Sequence, residues 1–330
     1  MPQAPRPADD LIAAHADWST DPRKRWVSVA RRAGGAWRAA APRPVGDPAA
    51  LLAALLAPGL PVALGLDLPL GLPREYAAKR PEPDFPAFLR ALATRPGFFA
   101  VNAVLETVGP ERPFYPARGT RGMTRAAHAA ALGLSGPMGL SRWCDRATEE
   151  RPAGAPVFWT LGANQSGKAA IAAWRDWLAP ALAAQGTTEA GPIALWPFQG
   201  ALHALLVPGR AVLAEVYPAE ALRHCGLRLT GSKRAEAARR ALAPALRDVL
   251  VVRRVVPEAA LTAAIAAGFG TDAAAEDRFD SVIGLLGLIG VLDGARPDFV
   301  PEDPWIRRWE GWVLGQTALP RMAATDRVSV

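Results

Sequence analysis

Residues 60–73 read LPVALGLDLPLGLP, an apolar run of strand length broken by a single acid, Asp67. Just before it, residues 47–57 read DPAALLAALLA, with Asp47 as N-cap and Pro48 at the first helical position. Pro58, Gly59 and Pro61 end that helix. Further upstream, LIAAHAD (residues 11–17) is another apolar run that closes on an acid, Asp17. Strand, helix, strand in this order predicts a β-α-β unit with a parallel strand pair. Asp17 and Asp67 would then end neighbouring strands.

Between the two runs the chain predicts an antiparallel meander. DPRK (21–24) makes a turn, RWVSVARR (25–32) a second strand, Gly34-Gly35 a further turn and AWRAA (36–40) a third strand. Residues 74–155 change character, becoming rich in Pro, Arg and aromatics, and read as a long, largely helical insertion. After it come an apolar piece (VFWTL), a Gly-rich turn and a helix from about 167 to 184. IALWPFQG, ALHALLV and AVLAEVYP are three short strand candidates. Residues 232–250 and 257–268 have helical periodicity, and 278–292 form an almost wholly apolar helix with Asp280 near its start. No internal repeat is visible. The organisation expected is a loose tail over 1–10 and one α/β domain over 11–330.

Half of the 330 residues are hydrophobic, enough for a substantial core. The net charge of +7 and sequence pI near 10.1 suit an anionic partner such as nucleic acid or a nucleotide. Abundant Ala, Arg, Pro and Gly with scarce Lys offers a plainer account of that charge, the codon bias of a GC-rich genome. Cys144 and Cys225 lie far apart, which excludes zinc spacing and a disulfide framework and fits a reducing cytoplasm. The N-terminus MPQAPRPADD lacks a signal-peptide core, and SVIGLLGLIGVL is shorter than the ~20 residues of a bilayer span. A cytoplasmic protein with no membrane partner is expected.

Burying a carboxylate without a partner is costly, so acids beside apolar runs mark candidate sites. Asp17, Asp67, Glu215 (in AVLAEVYP) and Asp280 are four such acids from distant parts of the chain. The element order, a meander followed by α/β units, is that of a ribonuclease H-like mixed sheet with flanking helices. In that layout Asp17 and Asp67 project near one another, and the last helix brings Asp280 and, one turn earlier, Asp277 over the same point. Such a cluster calls for cations, and Mg²⁺ or Mn²⁺ held by carboxylates would make it hydrolytic. Each acid also has a plain reading: Asp67 as a turn cap, Asp277 and Asp280 as helix N-terminal acids. His15 shares the strand face of Asp17 and is either an assistant at the site or simply a packed or exposed residue. Trp18 should be buried on the opposite face.

The segments HADWS, GLDLPLGLP, AEVYP, DRFDSVIGLL and EGWVLG resemble the signatures of the predicted ribonuclease H-like nucleases, a bacterial and archaeal domain family of unknown function. The resemblance implies a ribonuclease H fold and a carboxylate metal site at Asp17, Asp67, Glu215 and Asp280. It leaves activity open, because the family itself was assigned by prediction. The 74–155 segment exceeds a minimal domain of this fold, and Glu215 could instead anchor the loop after it.

A competing motif, Gly162-Ala-Asn-Gln-Ser-Gly167-Lys168, matches the G-x-x-x-x-G-K of a phosphate-binding loop. Ala169 follows where that motif needs Ser or Thr for Mg²⁺, and no second nucleotide-binding signature follows. Gly162, Gly167 and Lys168 are therefore candidates for a nucleotide site, for an auxiliary phosphate contact, or for a simple helix start. Three functions stay open: a metal-dependent phosphodiester hydrolase, a P-loop-like nucleotide-binding protein, and a non-catalytic binding protein of ribonuclease H fold.

Overall fold

The structure is a computed structural model that describes residues 10–119, 123–161, 166–187 and 190–321. Of the expected tail over 1–10, all but Asp10 lies outside the described residues. The chain divides into two compact units. The first holds Met1–Leu68, Gln185–Phe299 and Val313–Gly315; the second holds Pro69–Ala184, Val300–Trp312 and Gln316–Val330. The helical segment expected over 74–155 falls inside the second unit, which extends beyond it in both directions.

The first unit is an α/β fold built on a mixed eight-stranded sheet flanked by helices. Its strands are β1 (Leu11–Asp17), β2 (Trp26–Ala33), β3 (Ala36–Ala39), β4 (Arg43–Pro44), β5 (Val62–Leu66), β6 (Ile193–Leu195), β7 (Ala211–Glu215) and β8 (Val255–Pro257). They lie in the order β6-β7-β5-β1-β2-β3-β8, with β4 also pairing β2. β1, β2 and β3 form the antiparallel meander, turned between β2 and β3 by Gly34 and Gly35 at positive φ. The helix Pro48–Leu56, capped by Asp47, carries the chain to β5, which pairs β1 in parallel. β7 adds in parallel to β5, and β6 to β7. Every residue of β1, β5 and β7 is buried, which explains their largely apolar sequences.

Two local readings change. ALHALLV is the short helix Leu202–Leu205 rather than a strand. Its buried residues, Leu202 and Leu205, are three apart, one helical turn, and Asp298 accepts the Leu202 N–H at 2.7 Å. β8 has no sequence signal because three residues at a sheet edge show no alternation; it lies between the two helical stretches and pairs β3 in parallel.

The long helix Ala275–Leu292 packs against β1 and β2 and is buried along most of its length. Glycines let it come close. A Cβ on Gly284 would lie 2.2–2.3 Å from ring atoms of His15, and one on Gly287 would lie 2.5 Å from the Ala221 Cβ. From the sheet side, a Cβ on Gly65 of β5 would lie 2.9 Å from the same His15 ring. A hydrogen bond of 2.8 Å between Ser28 Oγ and Ser281 Oγ fixes the contact further. His15 is thus a wedge between strand and helix, its Nε2 3.1 Å from the Val216 carbonyl oxygen, and burial lowers its pKa to about 4. Of the two readings of His15, the packed core residue holds.

The second unit has short helices, among them Arg74–Ala77, Phe85–Leu92, Arg125–Ala131 and Ser166–Ala173, around an aromatic core. Phe88, Phe98, Phe114 and Phe158 stack edge to face in a chain. The fully buried Arg142 is neutralised by Asp145 through bonds of 2.8 and 2.9 Å. Among the described residues no helix is long and apolar enough to cross a membrane.

The Gly284–His15 contact yields a direct test. Gly284→Ala should destabilise the protein by about 3 kcal/mol in urea unfolding, since the added methyl has no space. In the double variant with His15→Ala the two losses should fall well short of additive, because the ring that clashes is gone.

Candidate functional site

Strand register sets the centre of the site. Ala16 of β1 pairs Leu66 of β5, so the next residues, Asp17 and Asp67, stand side by side at the ends of two parallel strands. Their carboxyl groups are close enough for each to shift the titration of the other. Burial raises the pKa of Asp17 well above the ordinary carboxylate range, and the charges of Asp67, Asp280 and Asp277 add to the rise. Asp67 is raised to about 7 by burial first and the Asp280 charge second, with its bond from Asp17 acting the other way. The two acids titrate as a coupled pair, each raised above the ordinary carboxylate range.

The close docking of the Ala275–Leu292 helix brings two further acids from its first turns. Asp280 is buried and its pKa is also raised, chiefly by desolvation. Asp277, three residues earlier on the same face, is pushed up to about 6 by partial burial. Its Oδ2 is buried without a hydrogen-bond partner among the described residues.

Glu215 stands differently. It pairs Leu66, one residue before Asp67, so strand alternation puts it on the face of Leu66 and Ala16, opposite the face of Asp17. It is fully buried, and its charge adds to the rise at Asp67 less than that of Asp280. Its carbonyl accepts the Leu314 N–H at 2.9 Å and bridges to Val313. The backbone of Glu215 therefore anchors the 313–315 segment, while its carboxylate lies behind the acid pair.

A residue with no sequence signal completes the cluster. Lys233, one of only four lysines in the chain, lies just before the helix Glu236–Ala241. Its Nζ is 2.5 Å from Asp280 Oδ2 and 3.1 Å from Glu276 Oε1. Those carboxylates hold its pKa above the ordinary lysine value, despite the cost of burial. A second lysine, Lys24, lowers the pKa of Asp277 through its charge. Neither lysine has a spacing that marks it; only the folded arrangement shows them.

The donor set is made of hard carboxylate oxygens with no available imidazole or thiolate, which fits Mg²⁺ or Mn²⁺ and not a soft metal. Among the described residues, no group of three or more His, Cys, Asp or Glu side chains is placed to hold a metal ion. Asp280 is held by Lys233.

Gly167 and Lys168 belong to the second unit, at the start of the helix Ser166–Ala173, and Gly162 lies outside the described residues. A Cβ on Gly167 would lie 2.6 Å from the Val157 carbonyl oxygen and 2.9 Å from that of Trp159. Close packing against backbone thus accounts for this glycine. The described residues before the turn form no strand, only a single bridge from Trp159 to Tyr115. The strand–turn–helix context of a phosphate-binding loop is missing there.

No family model, no curated protein and no solved structure matches the chain.

The raised carboxylates make stability depend on pH. Asp67 titrates from 3.8 unfolded to about 7 folded. The folded state therefore binds more protons across that window, and stability falls as pH rises through it. Without added metal, the melting temperature should be lower at about pH 8 than at about pH 5. Asp67→Asn should raise it, and by more at the higher pH; thermal scans of both proteins at the two values check this.

Proposed function

We propose that the first unit is a ribonuclease H-like domain and that the protein is a divalent-metal-dependent phosphodiester hydrolase acting on nucleic acid or a nucleotide. The observation that carries this reading is the acid pair Asp17–Asp67 at the ends of adjacent parallel strands, with Asp280 and Asp277 over it. The sheet order, with β1 between an antiparallel β2 and a parallel β5, supports the ribonuclease H-like assignment. So does the resemblance of HADWS, GLDLPLGLP and DRFDSVIGLL to that nuclease family.

The roles of the side chains follow from their surroundings. Asp17 and Asp67 would hold the metal through their carboxylate oxygens, releasing protons as it binds. Asp280 would join once free of Lys233, and Asp277 would contribute its buried oxygen. Mg²⁺ or Mn²⁺ bound there supplies the Lewis acidity that phosphodiester hydrolysis needs. His15 takes no part, since its ring is buried and engaged with Val216. Glu215 steadies the strand end behind the pair. The net charge of +7 favours approach of an anionic substrate.

Calorimetric titration with Mn²⁺ and cleavage of single-stranded, double-stranded and branched DNA and RNA test the reading together. Asp67→Asn should weaken Mn²⁺ binding by about 10-fold or more, and Asp17→Asn should abolish metal-dependent cleavage. Equal Mn²⁺ affinity in wild type and Asp67→Asn would remove Asp67 from the ligand set. Nucleic-acid binding indifferent to Mn²⁺, without cleavage, would leave a binding protein instead.

A further inference from the structure

Lys233 is not an ordinary surface lysine, because its backbone is fixed from below. Arg239 is buried, and its guanidinium donates to three carbonyl oxygens: those of Lys233, Gly268 (2.7 Å) and Gly270 (2.7 Å). The acceptor loop Gly268-Phe269-Gly270 has positive φ at all three residues. A Cβ on Gly268 would lie 2.9 Å from the Glu236 carbonyl oxygen and from the Arg240 nitrogen. Arg278, on the acidic helix, ties the same loop down through the Phe269 carbonyl (2.7 and 3.0 Å) and Asp272 (2.8 and 2.9 Å). A buried arginine, a strained loop and the acidic helix together aim one ammonium group at Asp280.

That ammonium has two acceptors one helical turn apart, Asp280 at 2.5 Å and Glu276 at 3.1 Å. Glu276 also pairs with Arg234 at 3.4 Å and lies nearer the helix start than Asp280. Loss of Asp280 would leave Lys233 still paired. We propose that Lys233 is a resident cation of the acidic site: it competes with a divalent metal for Asp280 and keeps only Glu276 as its partner when the metal binds. This rests on the metal reading above and adds to it a positioning residue that sets metal affinity. In the metal-free protein the ammonium offsets the mutual repulsion of Asp17, Asp67 and Asp280. With metal bound, Lys233, held by Glu276 alone, would stand beside the site as a cation for substrate phosphate.

The test is Mn²⁺ calorimetry on wild type, Lys233→Met and Lys24→Met, all at one pH so that proton competition is the same in each. Lys24→Met controls for the loss of a nearby positive charge that does not touch Asp280. Lys233→Met should bind Mn²⁺ about fivefold more tightly than wild type, the equivalent of one partly exposed ion pair, and Lys24→Met distinctly less so. In parallel, acetylation followed by peptide mass measurement should show Lys233 labelling faster with Mn²⁺ present, while Lys79 and Lys168 stay constant. If wild type binds Mn²⁺ but Lys233→Met gains no more than Lys24→Met, or Lys233 labelling does not rise, the displacement idea fails and the metal site stands. If neither wild type nor Lys233→Met binds Mn²⁺, the metal reading fails and takes this inference with it. Binding by the variant alone supports the competition in its strongest form.

Discussion

The approach of the Ala275–Leu292 helix to β1, with the bare backbone of Gly284 against the His15 ring, is the contact on which the acidic site depends. Asp280 sits one turn before Gly284 and Asp277 three residues before Asp280. Any side chain at 284 would lift that end of the helix from the sheet, and the two acids would rise with it. The buried neutral histidine is what the glycine makes room for. Its bond to the Val216 carbonyl also ties β1 to the residue after β7, so one side chain registers three elements.

Once the helix is docked, electrostatics governs the rest. Carboxyl groups from two strands and one helix meet where water is largely excluded, and they cannot all be ionised without cations. The molecule answers in two ways. Asp17 and Asp67 have raised pKa values that favour protonation, and Lys233 covers Asp280. In the proposed metal-dependent reading, a divalent cation would compete with protons and with the Lys233 ammonium for these oxygens. The buried Arg239 and the positive-φ loop it grips are the structural cost of holding one competitor in place.

Glu215 shows why proximity in a list of acids is not proximity in a site. It ends a strand beside Asp67, as Asp17 does, and its segment is as apolar. A register offset of one residue turns it to the other face of the sheet. The phosphate-loop motif makes the same point about glycine. Gly167 matches a pattern written for anion binding, yet the space around it is filled by the carbonyl oxygens of Val157 and Trp159. A glycine required by packing and a glycine required by a ligand look alike in sequence.

Much of the first unit was legible from the chain alone, because buried strands, turn glycines and capped helices leave local signals. β1, β2, β3, β5 and β7, the Asp47-capped helix and the apolar last helix all follow from periodicity and composition within a few residues. So does the pairing of Asp17 with Asp67, since strand, helix and strand in sequence place neighbouring ends together. The helix at Leu202–Leu205, the edge strand at Val255–Pro257 and the face of Glu215 were decided by tertiary contacts and register. Lys233 and Glu276 belong to that second group as well. The cation that answers a buried carboxylate can come from anywhere in the chain that folding brings within about 4 Å, and no local pattern encodes that distance.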